Sequence, residues 1–158
     1  MLKSSFVKVT VRRSMVMVLA VSLLSYSFNW YADKQESLLW ASKCLLQSFD
    51  AMVDPKLKKW DLALTPDAFI RFKKTYQSGR QEYYSFNLRR FKNMDYIGTN
   101  VRGTICLKTM GDDVIVQTYN DPKGNVDSMS TSIKIPVRGL EAEQLDSLLT
   151  NLNYLKVH

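Results

Sequence analysis

Apolar positions along this chain change their spacing several times, and each change marks an element. Over Asp33 to Met52, Leu38, Ser42, Leu45, Phe49 and Met52 recur at three- and four-residue intervals, with Leu39 and Leu46 widening the stripe. That period predicts a helix, ended by Asp54-Pro55 because the residue before proline avoids the helical region. Trp60, Leu62 and Leu64 then alternate with Asp61 and Ala63, which suggests a short strand. Thr65-Pro66-Asp67 has the order of a helix start, so a second helix is expected over Pro66 to Gln77, presenting Phe69, Phe72 and Tyr76.

From Tyr83 the period becomes two. Tyr84, Phe86 and Leu88 alternate with polar residues, and strands follow over Tyr96 to Thr109, Val114 to Tyr119 and Val126 to Val137. Gly98 and Gly103 are bend or bulge positions in the first of these three. Met129, Thr131, Ile133, Ile135 and Val137 are expected to share one face. Leu140 to Lys156 closes the chain as a helix with a leucine stripe. Its Leu148 and Leu149 should cover a sheet face built from Ile105, Leu107, Ile133 and Ile135. The expected class is α+β: two layers, an antiparallel sheet of four to five strands with helices packed on one face.

One stretch falls outside this scheme. Val11 to Trp30 reads VRRSMVMVLAVSLLSYSFNW, with Lys3, Lys8, Arg12 and Arg13 before an uncharged apolar core, Met15 to Leu24, and Ser25-Tyr26-Ser27 after it. Basic, apolar, small-x-small is the order of a secretory signal peptide, cut before Phe28. The expected organisation is therefore a signal peptide over 1–27 and a single exported domain over 28–158. The alternative is an uncleaved signal-anchor, since Ser14 to Ala32 is an uncharged run of nineteen residues. Both readings place the domain outside the cytoplasm, periplasmic or extracellular, with membrane contact only through the N-terminal segment.

Charge changes its meaning once this segment is set apart. The whole chain of 158 residues carries a formal +7, but from residue 28 onward 18 basic residues face 15 acidic ones. That balance gives no reason to infer nucleic-acid binding. Basic residues do concentrate between Lys56 and Lys92, where ten Lys or Arg accompany three acids and interleave with rings, as in KLKKW and RFKKTY. Lys58, Lys59, Trp60, Lys73, Lys74, Arg89 and Arg90 are the candidate binding residues, suited to an anionic glycan, a lipid headgroup or an acidic protein surface. The competing account is a solvated helix face carrying Lys73 and Lys74.

Catalytic chemistry has little to work with. His158 is the single histidine and the last residue, so neither Ser nor Cys has a base, and no zinc set or glycine-rich phosphate cradle is present in the sequence. No cofactor is implied. Cys44 and Cys106 allow one disulfide in an oxidising compartment, although Cys106 belongs to the polar face of its strand. Asp121 to Asp127, DPKGNVD, has oxygen ligands but Lys123 stands among them, and a hairpin turn accounts for it better than a calcium loop. The function expected is binding without catalysis, to an anionic envelope component or a protein partner. The alternatives are a membrane-tethered accessory subunit of an envelope complex and, third, a hydrolase using the turn carboxylates Asp112, Asp113, Asp121 and Asp127.

Overall fold

The computed structural model describes residues 33–157, so the N-terminal apolar segment lies outside the described residues. The chain divides into two compact units, Met1–Gln35 and Glu36–His158, and the second is described here. Helix α1 covers 33–48 and is followed by a 3-10 turn, Ala51–Val53. Eight strands come next: β1 Leu57–Leu64, β2 Phe69–Tyr76, β3 Gln81–Asn87, β4 Phe91–Gly98, β5 Arg102–Thr109, β6 Val114–Tyr119, β7 Asp127–Ser130 and β8 Ser132–Arg138. Helix α2, Ala142–Val157, ends the unit. No helix among the described residues is long and apolar enough to cross a membrane.

All strand pairs are antiparallel, in a five-stranded sheet of order β1-β2-β3-β6-β7 and a three-stranded sheet of order β4-β5-β8. The mixed α+β class stands, with two sheets in place of the single sheet of four to five strands expected. The two sheets share their chain. β3 leads through the 3-10 turn Leu88–Arg90 into β4, β5 leads through residues 110–113 into β6, and β7 leads through Thr131 into β8. The pairing order β3-β6-β7 in one sheet thus continues as β4-β5-β8 in the other. Strands that switch sheets in this way make a corner. Thr109 holds it: its amide donates to Thr131 O at 2.9 Å, and Met110 N donates to Arg90 O at 2.9 Å.

Three expectations fail at identifiable places, the first being the single strand expected over Tyr96 to Thr109, which is a hairpin with β4 ending at Gly98 and β5 starting at Arg102. Pro66 to Gln77 is not a helix, because Thr65-Pro66-Asp67-Ala68 is the turn of the β1–β2 hairpin. Thr65 Oγ1 accepts from Phe69 N at 3.1 Å, and Ala68 takes φ 62°, in the left-handed region. The triplet Phe69, Phe72, Tyr76 imitated a helical stripe, while Ile70 and Phe72 carried the true two-residue period; both are fully buried. The strand expected over 126–137 is broken at Thr131, where the chain changes sheets. Ile133, Ile135 and Val137 face the core as expected, but Met129 lies on the solvent side.

Register explains the three-stranded sheet's apolar face. Met94, Leu107 and Ile133 stand in one row, Tyr96, Ile105 and Ile135 in the next, and Gly98, Gly103 and Val137 in a third. The third row requires its glycines. A Cβ on Gly98, at φ 150°, would lie 2.3 Å from Gly103 Cα, and one on Gly103 would lie 2.4 Å from the Tyr96 ring. One core cluster joins this face to Leu62, Ile70, Phe72 and Phe86 of the larger sheet and to both helices. Cys44 and Cys106 are both free thiols, so the disulfide is not formed.

Leu148 and Leu152 of α2 are fully buried, whereas Leu149 is half-buried at the margin of the cluster. Leu148→Ala should lower stability by about 2–5 kcal/mol through lost transfer energy and a cavity, and Leu149→Ala by clearly less. Urea unfolding midpoints of the two variants check the ordering; equal and negligible changes would mean that α2 does not cover the core.

Candidate functional site

Period-two alternation decides where the predicted basic residues go. On the β1–β2 pair, Lys59 stands opposite Thr75, Trp60 opposite Lys74, and Asp61 opposite Lys73. Lys59 and Lys73 therefore project from one face of the sheet, and Trp60 and Lys74 from the other. Lys58 occupies a bulge at the exposed start of β1, where the register shifts between Leu57 and Lys59. Arg89 and Arg90 sit on the 3-10 turn at the corner, where Arg90 pairs with Asp113 at 2.8 Å. The seven residues do not form one patch. Three of them, Lys59, Trp60 and Lys73, line a single groove of about 390 Å³ together with Asp61 and Thr75.

The inward-facing members have partners already. The Trp60 ring packs 4.3 Å from the Phe49 centroid, joining β1 to the end of α1. Lys74 lies 5.1 Å from the Phe72 ring centroid and 5.5 Å from that of Tyr84, and its Nζ is 3.5 Å from Glu82 Oε2. Cation–π contact and an ion pair together hold this lysine in place.

Glu82 is the centre of a polar cluster that the sequence reading missed. Tyr76 Oη donates to Glu82 Oε2 at 2.9 Å and Tyr84 Oη to the same oxygen at 3.1 Å. Arg80 Nη2 stands 2.8 Å from Glu82 Oε1, and Arg80 Nε stands 2.7 Å from Asp121 Oδ2 in the β6–β7 loop. Trp60, Lys74, Glu82 and Thr118 form one row across four strands, continuing the apolar face of the larger sheet with polar side chains. The sequence signal was there: 74, 76, 82 and 84 share parity with the buried 70, 72 and 86. Assigning β2 to a helix concealed it.

Chemically this cluster is a lock. Glu82 receives four donors, and the Tyr84 phenol is pushed up to about 12 by burial first and by the neighbouring Glu82 second. The same two causes push Tyr76 higher still. Three of the four turn carboxylates are also engaged one by one. The Arg90 hydrogen bond holds Asp113 below the usual range, and the Lys123 backbone amide does the same for Asp121. Asp127 accepts from Gln117 Nε2 at 3.3 Å, and Asp112 is exposed.

None of the protein-family models, curated proteins or solved structures compared matches this chain.

The raised phenols fix a pH dependence. Unfolded tyrosine titrates near 10, so the stability that the neutral phenols contribute is intact below about pH 10 and lost as pH rises toward about 12. In the folded protein Tyr76 and Tyr84 should ionise above the range of free tyrosine, as followed by tyrosinate absorbance. Glu82→Gln removes the negative charge while keeping an acceptor oxygen, and should lower both, with the part of the shift caused by burial remaining. Folded Tyr76→Phe and Tyr84→Phe variants that lose only absorbance appearing at about pH 10 would contradict the cluster.

Proposed function

We propose that this chain is an exported domain that binds rather than catalyses, and that its ligand is an anionic envelope component held at the β1–β2 groove. The observation that carries the reading is the convergence of Lys59 and Lys73 on one groove, which Trp60 also lines, at the edge of the five-stranded sheet. Asp61, the cross-strand partner of Lys73, is the single acid in that lining. Lys58 and Lys59 on this edge strand also discourage pairing with another strand, so the edge presents charge instead of bare backbone. The N-terminal order of basic, apolar and small residues supports export. A second reading, an accessory subunit tethered by an uncleaved segment, draws support from the nineteen uncharged residues that directly precede α1. N-terminal sequencing separates the two: a chain beginning at Phe28 supports cleavage, and a full-length chain in the membrane fraction supports the tether.

Binding at the groove should be salt-sensitive, since exposed charges are screened within about 8 Å at physiological ionic strength. The full-length protein should be retained on dextran sulfate and released by salt, and Lys59→Glu/Lys73→Glu should abolish retention. Both lysines are exposed, so the unfolding midpoint should stay within about 0.5 kcal/mol of the wild type. Arg89→Glu, outside the groove, should leave retention nearly unchanged. Equal losses for both variants would replace the groove with a diffuse charge effect.

A further inference from the structure

A second concavity, remote in register from the β1–β2 groove, lies where α1, the end of β8 and the start of α2 meet. The end of α1 is fastened to β8 there: Phe49 pairs with Val137 as an isolated antiparallel bridge, and Asp50 N donates to Pro136 O at 3.0 Å. The cleft beside this fastening measures about 360 Å³. From α1 it is lined by Trp40, Lys43 and Gln47, at the three- and four-residue spacing that shares a helix face, and by Ser48. Arg138, Gly139, Leu140 and Gln144 supply the other wall. No carboxylate lines it among the described residues.

The donors there are unbalanced. Neither Lys43 nor Arg138 forms an ion pair among the described residues. Arg138 stands directly across from Arg102 in the β5–β8 register, a like-charge juxtaposition that is unfavourable on a sheet. Asp50 answers Arg102, with Oδ2 3.1 Å from Arg102 Nε, and leaves Arg138 uncompensated. Gln144 accepts the Glu141 amide on Oε1 at 3.0 Å, closing the start of α2, so its remaining hydrogen-bonding group is an NH₂ donor. Ser48 Oγ donates to Leu45 O at 3.4 Å, which leaves its oxygen lone pairs. Gln47 offers both a donor and an acceptor. Burial pushes the Cys44 thiol up, keeping this lining residue protonated and without nucleophilic character at neutral pH.

A ligand matched to this lining carries negative charge for Lys43 and Arg138, hydroxyls for the amides and Ser48, and a flat apolar face for the Trp40 ring, which is 37% exposed. We propose that this cleft is a binding site for an anionic saccharide unit, a sugar ring bearing a carboxylate or a phosphate. Charge selects the acid group, the amides select hydroxyls over an aromatic body, and the indole stacks on the C–H face of the ring. The volume lies in the range of small-molecule sites. It shares no residue with the groove of Lys59 and Lys73, so either site can fail without the other.

The test follows the Trp40 indole N–H resonance, assigned by loss in Trp40→Phe, while the full-length protein is titrated with D-glucuronate, D-glucose 6-phosphate, D-glucose, inorganic phosphate and benzoate. At least one charged sugar should shift the resonance saturably, with D-glucose, phosphate and benzoate each about tenfold weaker or worse. The tighter of the two charged sugars identifies the acid group. Arg138→Gln and Lys43→Gln, both at exposed side chains, should each weaken that sugar about tenfold, the loss expected of one charge-assisted hydrogen bond, without moving the unfolding midpoint. Lys59→Glu/Lys73→Glu should not affect it. No saturable shift with either charged sugar, D-glucose or benzoate binding as tightly, or unchanged affinity in Arg138→Gln would each overturn the proposal.

Discussion

Thr109 stands at the point where the two sheets become one chain. Its side chain is buried, its hydroxyl lies 2.7 Å from Gly111 O and 3.0 Å from Thr131 O, and its amide reaches Thr131 O as well. One residue thereby closes the bend of β5 into β6 and ties it to the bend of β7 into β8. The adjacent Met110 amide ties it to Arg90, the bend of β3 into β4. Each of these hydrogen bonds contributes about 0.5–1.5 kcal/mol, and together they hold the three bends to a common geometry. Everything downstream inherits that geometry. The rows Met94–Leu107–Ile133 and Tyr96–Ile105–Ile135 face the core because the register at the corner puts them there, and a slip of one residue would turn them to solvent.

The corner also sets where α1 ends. β8 leaves the bend at Ser132 and reaches Val137 in the register that lets Phe49 pair beside it, and the same phenylalanine meets Trp60 of β1 and Phe72 of β2. Phe49, the residue that follows the helix, thus meets both sheets. The cleft of Lys43 and Arg138 exists because the helix is fastened at that point. The groove of Lys59 and Lys73 depends on the free edge of the other sheet. The larger sheet is apolar at Ile70 and Phe86 and becomes polar toward Glu82, where Arg80 joins the β2–β3 hairpin to Asp121. Ionic contacts finish what apolar packing does not reach.

Much of this was legible before the structure. α1, α2 and the alternation of Ile105, Leu107, Ile133 and Ile135 follow from periodicity, because in each case a single face is buried and the pattern is unmixed. β2 was not legible in the same way. FIRFKKTY satisfies a helical and a strand period at once, and Thr-Pro-Asp serves a hairpin turn as well as a helix start. The break at Thr131 has no sequence signature, since it results from hydrogen bonds to a distant strand. Dispersal of the basic residues follows from the β2 assignment: neighbours Lys73 and Lys74 share a helix surface but occupy opposite faces of a strand. Lys43 and Arg138 lie ninety-five positions apart in sequence, and the Phe49–Val137 bridge and the Asp50–Pro136 hydrogen bond bring their elements together.

Amide hydrogen exchange at the corner tests the central claim most directly. If the bend is one shared constraint, the Thr109 and Met110 amides open only with global unfolding, exchanging as slowly as Ile105 and Ile135 in the middle of the smaller sheet. Fast exchange at Thr109 and Met110 while those amides stay protected would contradict it, and would make the two sheets separately stable pieces joined by loose connections.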